Sequence, residues 1–276
     1  MDNSEKLVII EAGKKDRQYL VDLWRFRELF YFLSWRDIKV RYKQTVIGVA
    51  WSVIRPVLTM IIFTIIFGRL AKLPAGDIPY PILVFVALLP WQFFANAIQT
   101  SSNSLVSNAG MISKIYFPRI IMPTSSIIVA LIDFLISFAI LIVLMFVYRF
   151  VPNWTIVLTP LFLLISICFT LGVGFLISSL NVKYRDFQHI VPFIVQLGLY
   201  ISPVGFSSNV VPIRWKLIYS LNPMVGTIDG FRWAVFGEKS DLFLQSVIFS
   251  IVLSISMLFL GYWYFRKTEK SFADKI

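Results

Sequence analysis

Cysteine, histidine and acidic residues are scarce in this chain of 276 residues. The single cysteine, Cys168, lies inside an apolar run, so no disulfide can form within the chain. With His189 as the single histidine, no Cys/His cluster is available to hold a metal. No G-x-x-x-x-G-K-[ST] loop for nucleotide phosphates and no H-E-x-x-H motif occur. We therefore expect no catalytic residues, no metal and no other cofactor bound by this chain.

Charged residues are also few, at 15% of the chain, whereas hydrophobic residues make up 58% and the mean hydropathy is +0.77. A soluble domain carries nearer a quarter charged residues. The apolar runs are long and continuous and do not alternate, which favours helices over a closed barrel in lipid. We predict an all-α membrane protein with six transmembrane helices. The approximate spans are 46–67, 80–98, 120–148, 155–180, 189–206 and 242–265.

The shortage of acidic residues gives a formal net charge of +11. At this hydropathy, anionic lipid headgroups account for the excess better than nucleic acid does. With six spans, 18 of the 26 lysine and arginine residues fall on one side and seven on the other, while Arg55 lies within a span. The positive-inside rule then places both termini in the cytosol.

The chain divides into residues 1–45, a cytosolic tail with an amphipathic interface helix over Trp24–Gln44, and residues 46–276, the transmembrane domain. The start, MDNSEKLVII, does not resemble a signal peptide, so we expect the first 20 or so residues to remain in the mature protein. Between spans five and six, residues 207–241 hold two apolar pieces that are too short to cross a bilayer. These pieces, Ile213–Leu221 and Val225–Phe236, are predicted to be re-entrant helices on the outer face.

Asp133 is the one carboxylate predicted to lie midway along a span. Ionisable groups there are often functional, and Arg55 is a candidate partner. A packed polar pair is the alternative to a transport role. Proton-coupled carriers need several such groups, so the pattern counts against secondary transport. Pro56, directly after Arg55, predicts a kink in the first span.

Aromatic residues make up 16% of the chain, and many lie near predicted span ends. An interfacial aromatic belt explains many of them. A sharper hypothesis is that some line a glycan path, because ring faces contact sugars without fixed hydrogen bonds. The candidates are Trp51, Trp91, Phe93, Phe94, Tyr200 and Phe206.

Several short motifs in a fixed order carry a family resemblance. They are DIKVRYKQT at 37–45, Arg55-Pro56, FGR at 67–69, LPW at 89–91, SKIYFPR at 113–119, YRD at 184–186, Ser202-Pro203 and LNP at 221–223. From about residue 23 to residue 276 the sequence resembles permease subunits of type-2 ABC exporters for O-antigen and capsular polysaccharide, with teichoic-acid exporters close by.

The resemblance implies a homodimer in the bacterial inner membrane, paired with two copies of a separate ABC ATPase that binds ATP and magnesium. It implies a lipid-linked glycan as cargo and a coupling helix over Ser101–Ile115 that contacts the ATPase. The implied coupling residues are Ser104, Asn108, Gly110, Lys114, Tyr116 and Phe117. Arg25, Arg36, Lys39, Arg41 and Lys43 are candidates for the lipid diphosphate, and Tyr184, Arg185 and Asp186 form a cytosolic loop.

Alternatives remain at this point. A teichoic-acid permease, or one for a small lipid or drug, would share the architecture. A lipid scramblase would need no ATP, which the coupling-like segment argues against. A membrane glycosyltransferase or ligase would need a carboxylate or histidine cluster, whereas the outer face offers only Asp229, Glu238 and Asp241. The identity of the glycan stays open.

Overall fold

The computed structural model describes residues 16–43, 46–74, 76, 78–241 and 243–272, and within them all regular secondary structure is helical. The prediction of an all-α protein is confirmed. The α-helices are α1 (Asp16–Arg25), α2 (Arg27–Lys43), α3 (Val46–Phe63), α4 (Tyr80–Ser107), α5 (Ala109–Ile112), α6 (Ile121–Val147), α7 (Thr159–Lys183), α8 (Phe187–Ile201), α9 (Lys216–Ser220), α10 (Pro223–Phe236) and α11 (Phe243–Thr268). A π-helical turn, Thr64–Leu70, extends α3, and a 3-10 turn, Trp154–Leu158, precedes α7.

Five helical stretches in the described part are long and apolar enough to cross a membrane. They are Ala50–Leu70, Tyr80–Ser107, Ile121–Val147, Trp154–Lys183 and Phe243–Ser271. These correspond in order to predicted spans one to four and six. The predicted fifth span coincides in part with α8, an apolar helix of 15 residues. At 1.5 Å per residue α8 is about 22 Å long, short of a hydrocarbon core of about 30 Å. A count of six crossings therefore stays a prediction.

Helix α8 ends directly before Ser202 and Pro203. A proline disfavours helical backbone in the residue before it, and Ser202 is extended, with ψ of 152°. Arg232 of α10 then donates hydrogen bonds to the carbonyl oxygens of Phe206, at 2.8 Å, and Val204, at 3.3 Å. The prediction of a continuous fifth span is wrong beyond α8, because the chain there turns and is fixed by this arginine.

Helix α10 lies in the interior, packed against α4, α7 and α11. Asn222 caps its start by accepting a hydrogen bond from the Met224 N–H at 3.0 Å, and Pro223 occupies the first turn. Gly237 ends the helix with φ of +79°, a conformation that favours glycine. Eleven of the 14 helical residues are buried. The predicted piece Val225–Phe236 is thus a core helix, and its re-entrant position in a membrane stays a prediction.

The other predicted piece, Ile213–Leu221, differs in its burial. It consists of the 3-10 turn Ile213–Trp215 followed by α9. Most of its large apolar side chains are exposed, including that of Leu217. This piece therefore lies at the surface through most of its apolar side chains, and its last turn, with the buried Ser220, contacts α10 and α11.

Helices α7 and α11 approach each other backbone to backbone at Gly172 and Gly261. A Cβ atom on Gly172 would overlap the backbone of Met257, and one on Gly261 would overlap the carbonyl group of Gly172. Small residues permit this close contact between helices in a membrane, where dispersion drives association. The two glycines therefore set the spacing between predicted spans four and six.

The predicted amphipathic helix over Trp24–Gln44 is divided into α1 and α2, which meet at Phe26. The Phe26 N–H donates to the carbonyl oxygen of Asp22 at 2.9 Å, and the Phe30 N–H donates to Phe26 at 3.1 Å, so helical hydrogen bonding continues across the junction. Helix α2 packs against α3 and α6. Gln44, like the predicted tail over residues 1–15, lies outside the described residues. A position in the membrane interface stays a prediction.

Apart from the main core around α4 and α10, a further group of buried apolar side chains joins α1 and α2 to the ends of α4 and α11. We call it the second apolar cluster. Its buried members are Tyr19, Leu33, Leu105, Ile112, Phe117, Ile120, Ile121, Met122, Phe175, Val182, Phe265 and Phe272. Phe272 is only 1% exposed. The segment that follows the predicted last span is therefore packed onto the protein as far as residue 272.

Candidate functional site

A cavity of about 700 Å³ opens between α3, α4, α6 and α8, with Arg41 of α2 at its edge. Ligand sites in proteins commonly enclose about 300–1,000 Å³. Its walls come from three of the helices that are long enough to span a membrane and from α8. The lining combines aromatic rings with carboxamide, hydroxyl and charged groups. This is an unusual concentration of polar groups for the interior of such apolar helices.

Four of the six aromatic residues predicted to line a glycan path contribute to this cavity. They are Trp51 from α3, Trp91 and Phe93 from α4, and Tyr200 from α8. Trp51 is 57% exposed and Tyr200 is 59% exposed, whereas Trp91 and Phe93 are buried. The exposed pair therefore flanks the cavity with accessible ring faces, and the buried pair supports its wall.

The other two predicted aromatic residues lie elsewhere. Phe94 stacks on Phe169 of α7, with ring centroids 5.4 Å apart, beside a smaller apolar cavity. It points away because successive residues of a helix are rotated by about 100°. Phe206 follows the end of α8 and packs near Phe67, with ring centroids 6.5 Å apart. The structure does not bring either ring to the large cavity.

Four carboxamide residues on the cavity wall were missed by the sequence reasoning. Gln92, Asn96 and Gln99 belong to α4, and Gln196 belongs to α8. The available signal was the spacing of the first three at i, i+4 and i+7, which places them on one face of a helix. These side chains are neutral and not aromatic, so a prediction based on rings and charges does not include them.

Arg55, the candidate partner of Asp133, does not form an ion pair with it. Asp133 instead forms an ion pair with Arg41, with 2.8 Å between Nη2 and Oδ2, and it accepts a hydrogen bond from the Tyr42 hydroxyl. The reason is that α2 packs on α6 and brings its last turn to Asp133, whereas Arg55 of α3 lies elsewhere on the lining of the same cavity. Burial and the Asp133 carboxylate raise the pKa of Tyr42, so its hydroxyl remains a donor at neutral pH. Within the described residues, Arg55 forms no ion pair.

Arg36, predicted to bind the lipid diphosphate, contacts groups of its own chain. Its guanidinium lies 2.8 Å from an Asp37 carboxylate oxygen. It also donates a hydrogen bond of 3.1 Å to the side-chain oxygen of Asn108, at the end of α4. This contact joins α2 to the start of the segment predicted to couple to an ATPase.

Of the remaining predicted diphosphate ligands, Arg25 and Lys39 are exposed. The Lys39 ammonium lies 5.2 Å from the centroid of the Trp35 ring, a cation–π contact that leaves it accessible. Lys43 ends α2, and its side chain lies outside the described part of the chain. Arg25 and Lys39 are therefore the accessible cations of the predicted set.

The segment Ser101–Ile115, implied to be a coupling helix, is divided between the end of α4 and the turn that follows it, and its contact with an ATPase stays a prediction. Helix α4 continues without a break to Ser107, well past the predicted span end at residue 98. Ser104 is consequently buried, and its hydroxyl donates to the Ser101 carbonyl at 2.7 Å. The helix continues because its apolar residues in this stretch, such as Leu105, are buried in the protein.

The accessible part of the predicted coupling segment is the turn at 108–116. It contains the short helix α5. Gly110, Lys114 and Tyr116 are exposed there, whereas Phe117 is 3% exposed and belongs to the second apolar cluster. The turn is thus exposed along much of its length, and the buried Phe117 attaches its end to the second apolar cluster.

The family model for ABC-2 type transporters matches residues 28–236. The chain belongs to the ABC-2 type transporter family. The matched part of this ABC-2 chain runs from α2 through α10 and so includes all four walls of the cavity.

Curated relatives of this ABC-2 chain are similar over almost their whole lengths. The O-antigen export system permease protein RfbA of Klebsiella pneumoniae is 30% identical over 253 residues, covering 90% of this chain and 94% of the relative. RfbA of Myxococcus xanthus is 28% identical over 258 residues, covering 92% and 98%. The polysialic acid transport protein KpsM of Escherichia coli is 25% identical over 245 residues, covering 86% and 92%.

In this ABC-2 chain, Glu269 links three separate parts of the sequence. Its carboxylate accepts hydrogen bonds from the Tyr19 hydroxyl at 2.9 Å and the Arg119 N–H at 2.8 Å. It also forms an ion pair with Arg266 at 2.9 Å, and its carbonyl accepts a hydrogen bond from the Arg119 guanidinium. The Arg266 guanidinium lies 3.5 Å from the Tyr19 ring centroid. We call Tyr19, Arg119, Arg266 and Glu269 the Glu269 cluster. No sequence pattern predicts this cluster, because Tyr19 and Arg119 are far in the chain from Glu269.

The predicted cytosolic loop of the ABC-2 chain follows α7. Tyr184, Arg185 and Asp186 are all exposed, and the Lys183 ammonium lies 4.8 Å from the Tyr184 ring centroid. Asp186 directly precedes α8, the helix that forms one wall of the cavity. The loop therefore connects α7 to α8, the helix whose residues line the cavity.

Proposed function

We propose that this chain is the membrane permease subunit of an ATP-driven exporter that moves a polyprenyl-diphosphate-linked polysaccharide of the O-antigen type across the bacterial inner membrane. The observation that carries the proposal is the cavity, where ring faces and hydrogen-bonding groups share one wall inside apolar helices. Membership in the ABC-2 type family and similarity to curated O-antigen export permeases support it.

The proposed assembly contains two copies of this chain and two copies of a separate ABC ATPase, with both termini in the cytosol. Exposed apolar side chains on α3 and α8, which flank the cavity, support a second copy facing it. Examples are Leu58 and Phe193. The exposed turn with Gly110, Lys114 and Tyr116 is the proposed ATPase contact. ATP and magnesium would be bound by that partner and not by this chain.

The lipid diphosphate is proposed to bind near α1 and α2, at Arg25 and Lys39. These two predicted cations are exposed, whereas Arg36 and Arg41 lie beside Asp37 and Asp133. A diphosphate binds arginine and lysine most strongly where no carboxylate already compensates the charge. The glycan would then enter the cavity formed by α3, α4, α6 and α8.

A second candidate cargo is an acidic capsular polysaccharide. Arg55 faces the cavity without an ion-pair partner among the described residues, which favours a polymer that carries negative charge. The similarity to KpsM, named for polysialic acid transport, points in the same direction. Chemical analysis of the polymer that accumulates when the gene is deleted separates the two cargoes.

The proposed function is tested by deleting the gene and measuring polysaccharide on the cell surface. Loss of the surface polymer, with lipid-linked glycan retained inside and export restored by the intact gene, is the expected result. Unchanged surface polymer would contradict the proposal.

The ATPase contact has its own test, in which tagged protein is purified under mild detergent. An ABC ATPase should co-purify with the intact chain and be lost from Tyr116→Ala. Tyr148→Ala is the matched control, because Tyr148 is 43% exposed, Tyr116 is 47% exposed, and Tyr148 lies at the opposite end of α6 from the turn. A chain that purifies alone would contradict the partner proposal.

A further inference from the structure

The carboxamide side chains of the cavity lining come from two helices. Gln92, Asn96 and Gln99 share a face of α4, and Gln196 of α8 lines the same cavity. Along α4 the row is about 10 Å long, since seven residues of helix rise about 1.5 Å each. That length spans roughly two sugar rings of a linear chain. All four side chains retain some exposure.

These four side chains make no hydrogen bond with any other described residue, unlike most carboxamides elsewhere in the described structure. Those of Asn103, Asn108, Asn153, Asn181, Asn209 and Asn222 all take part in hydrogen bonds within the chain. None of the four side chains is buried, so their amide groups are open to the cavity and not engaged in packing contacts through hydrogen bonds. Four accessible, unbonded carboxamides on one cavity lining therefore point to a ligand or water as their hydrogen-bonding partner.

We propose that Gln92, Asn96, Gln99 and Gln196 form a hydrogen-bonding subsite for the hydroxyl groups of sugar residues. The inference rests on the proposed function and names the part of the cavity that recognises the cargo. A carboxamide presents two donors and an acceptor oxygen, which matches hydroxyl groups that both donate and accept. Trp51 beside the row supplies a ring face for the apolar side of a sugar.

The charges around the cavity support a subsite that recognises sugar hydroxyl groups by hydrogen bonding and does not select charged groups of the polymer. Asp133 compensates Arg41 at 2.8 Å, so among the residues that the structure describes Arg55 is the cavity cation without an ion-pair partner. One cation against four neutral amides makes hydrogen bonding to hydroxyl groups the larger part of recognition. Neutral partners also hold a sliding polymer weakly at each step, with about 0.5–1.5 kcal/mol for each hydrogen bond.

The test replaces the row by apolar residues of similar size in the full chain, as the triple variant Gln92→Met, Asn96→Leu and Gln99→Met. Export of surface polysaccharide is measured in the deletion strain and divided by the amount of variant in the membrane. The matched control is Gln245→Met, because Gln245 is an exposed carboxamide on α11 that does not line the cavity. The triple variant should export at least tenfold less, and the control should export normally.

The thermal stability of the purified variant separates recognition from packing. Replacing accessible amides that bond to no other part of the protein should leave the unfolding temperature unchanged or raise it, whereas a packing role would lower it. The conservative pair Gln92→Asn and Asn96→Gln keeps the carboxamides and should retain most of the export.

The outcomes are distinct from those of the proposed function. A triple variant that restores export as well as the intact gene overturns the subsite and leaves the export function standing. Lower export together with a lower unfolding temperature, also in the three single variants, overturns it in favour of packing. A deletion strain that keeps its surface polysaccharide overturns both proposals. Reduced export at unchanged or raised stability supports the subsite.

Discussion

Arg41 and Asp133 join the last turn of α2 to the interior of α6 through an ion pair of 2.8 Å. Asp133 is 12 residues beyond the start of α6, which places it about 18 Å along that helix. The Tyr42 hydroxyl donates to the same carboxylate. Helix α2 is therefore anchored inside the bundle and does not merely rest on its surface.

Asp133→Ala should lower the free energy of unfolding by about 1–2 kcal/mol. This is more than for an exposed pair and less than for a fully buried one, since the Arg41 side chain is 37% exposed. Thermal unfolding in detergent checks the value. The exchange of Arg41→Asp with Asp133→Arg should recover part of the loss. A charge exchange that is no more stable than Asp133→Ala would show that the pair is not the source of the effect.

Glu269→Ala should destabilise the protein by about 2–3 kcal/mol, because it removes two hydrogen bonds and an ion pair at a largely buried carboxylate. Tyr19→Phe should cost about 1 kcal/mol, since it removes one hydrogen bond. Limited proteolysis should release the first helix faster in both variants. Equal protease sensitivity of Glu269→Ala and the wild type would contradict the role of the cluster.

Tyr19 also predicts the pH dependence of this cluster. Burial, followed by the Glu269 charge and hydrogen bond, raises the pKa of Tyr19 above its ordinary value of about 10. The folded state then holds the proton more tightly than the unfolded state, so this stability is full below pH 10 and falls as the pH rises above it. Unfolding temperatures of wild type and Tyr19→Phe should differ by a constant amount from pH 6 to 9 and converge above pH 10. A difference that changes between pH 6 and 9 would contradict this assignment.

Gly172→Ala should destabilise the helix pair by about 1–3 kcal/mol, because its Cβ would overlap the Met257 backbone and force α7 and α11 apart. Gly110→Ala is the control, since nothing lies within 4 Å of a Cβ there and alanine favours helix. Thermal unfolding of the two variants in the same detergent provides the comparison. Equal stabilities would refute the close packing of α7 and α11.

The sequence predicted the helical class and most long apolar helices, because hydropathy and span length are local properties that lipid enforces. The start of α6 at Ile121, predicted at residue 120, illustrates this. The sequence did not predict that α4 continues to Ser107. A polar stretch after an apolar span indicates an interface segment unless one of its faces is known to be buried.

Partners of charged groups were not predictable in the same way. On sequence, Arg55 is a candidate partner of Asp133 because it is a basic residue inside a span. In the structure Arg41 forms the ion pair with Asp133, because α2 packs on α6. Chain distance carries no information on such pairs, as the separation of Tyr19 from Glu269 also shows. The cavity aromatics were predicted in part, since a periodic pattern does not say which neighbour each helix face meets.

The carboxamide row on the cavity wall and the exposed turn are joined by one helix, α4. From Gln92 to Asn108 lie 16 residues of α4 and its cap, about 24 Å, and Pro90 is outside this stretch. Within α4 no proline interrupts the backbone from Gln92 to Ser107, so the carboxamide row and the residue that caps the turn belong to one continuous helix. Under the proposed function, a displacement of this helix by the partner ATPase would therefore move the carboxamide row as well.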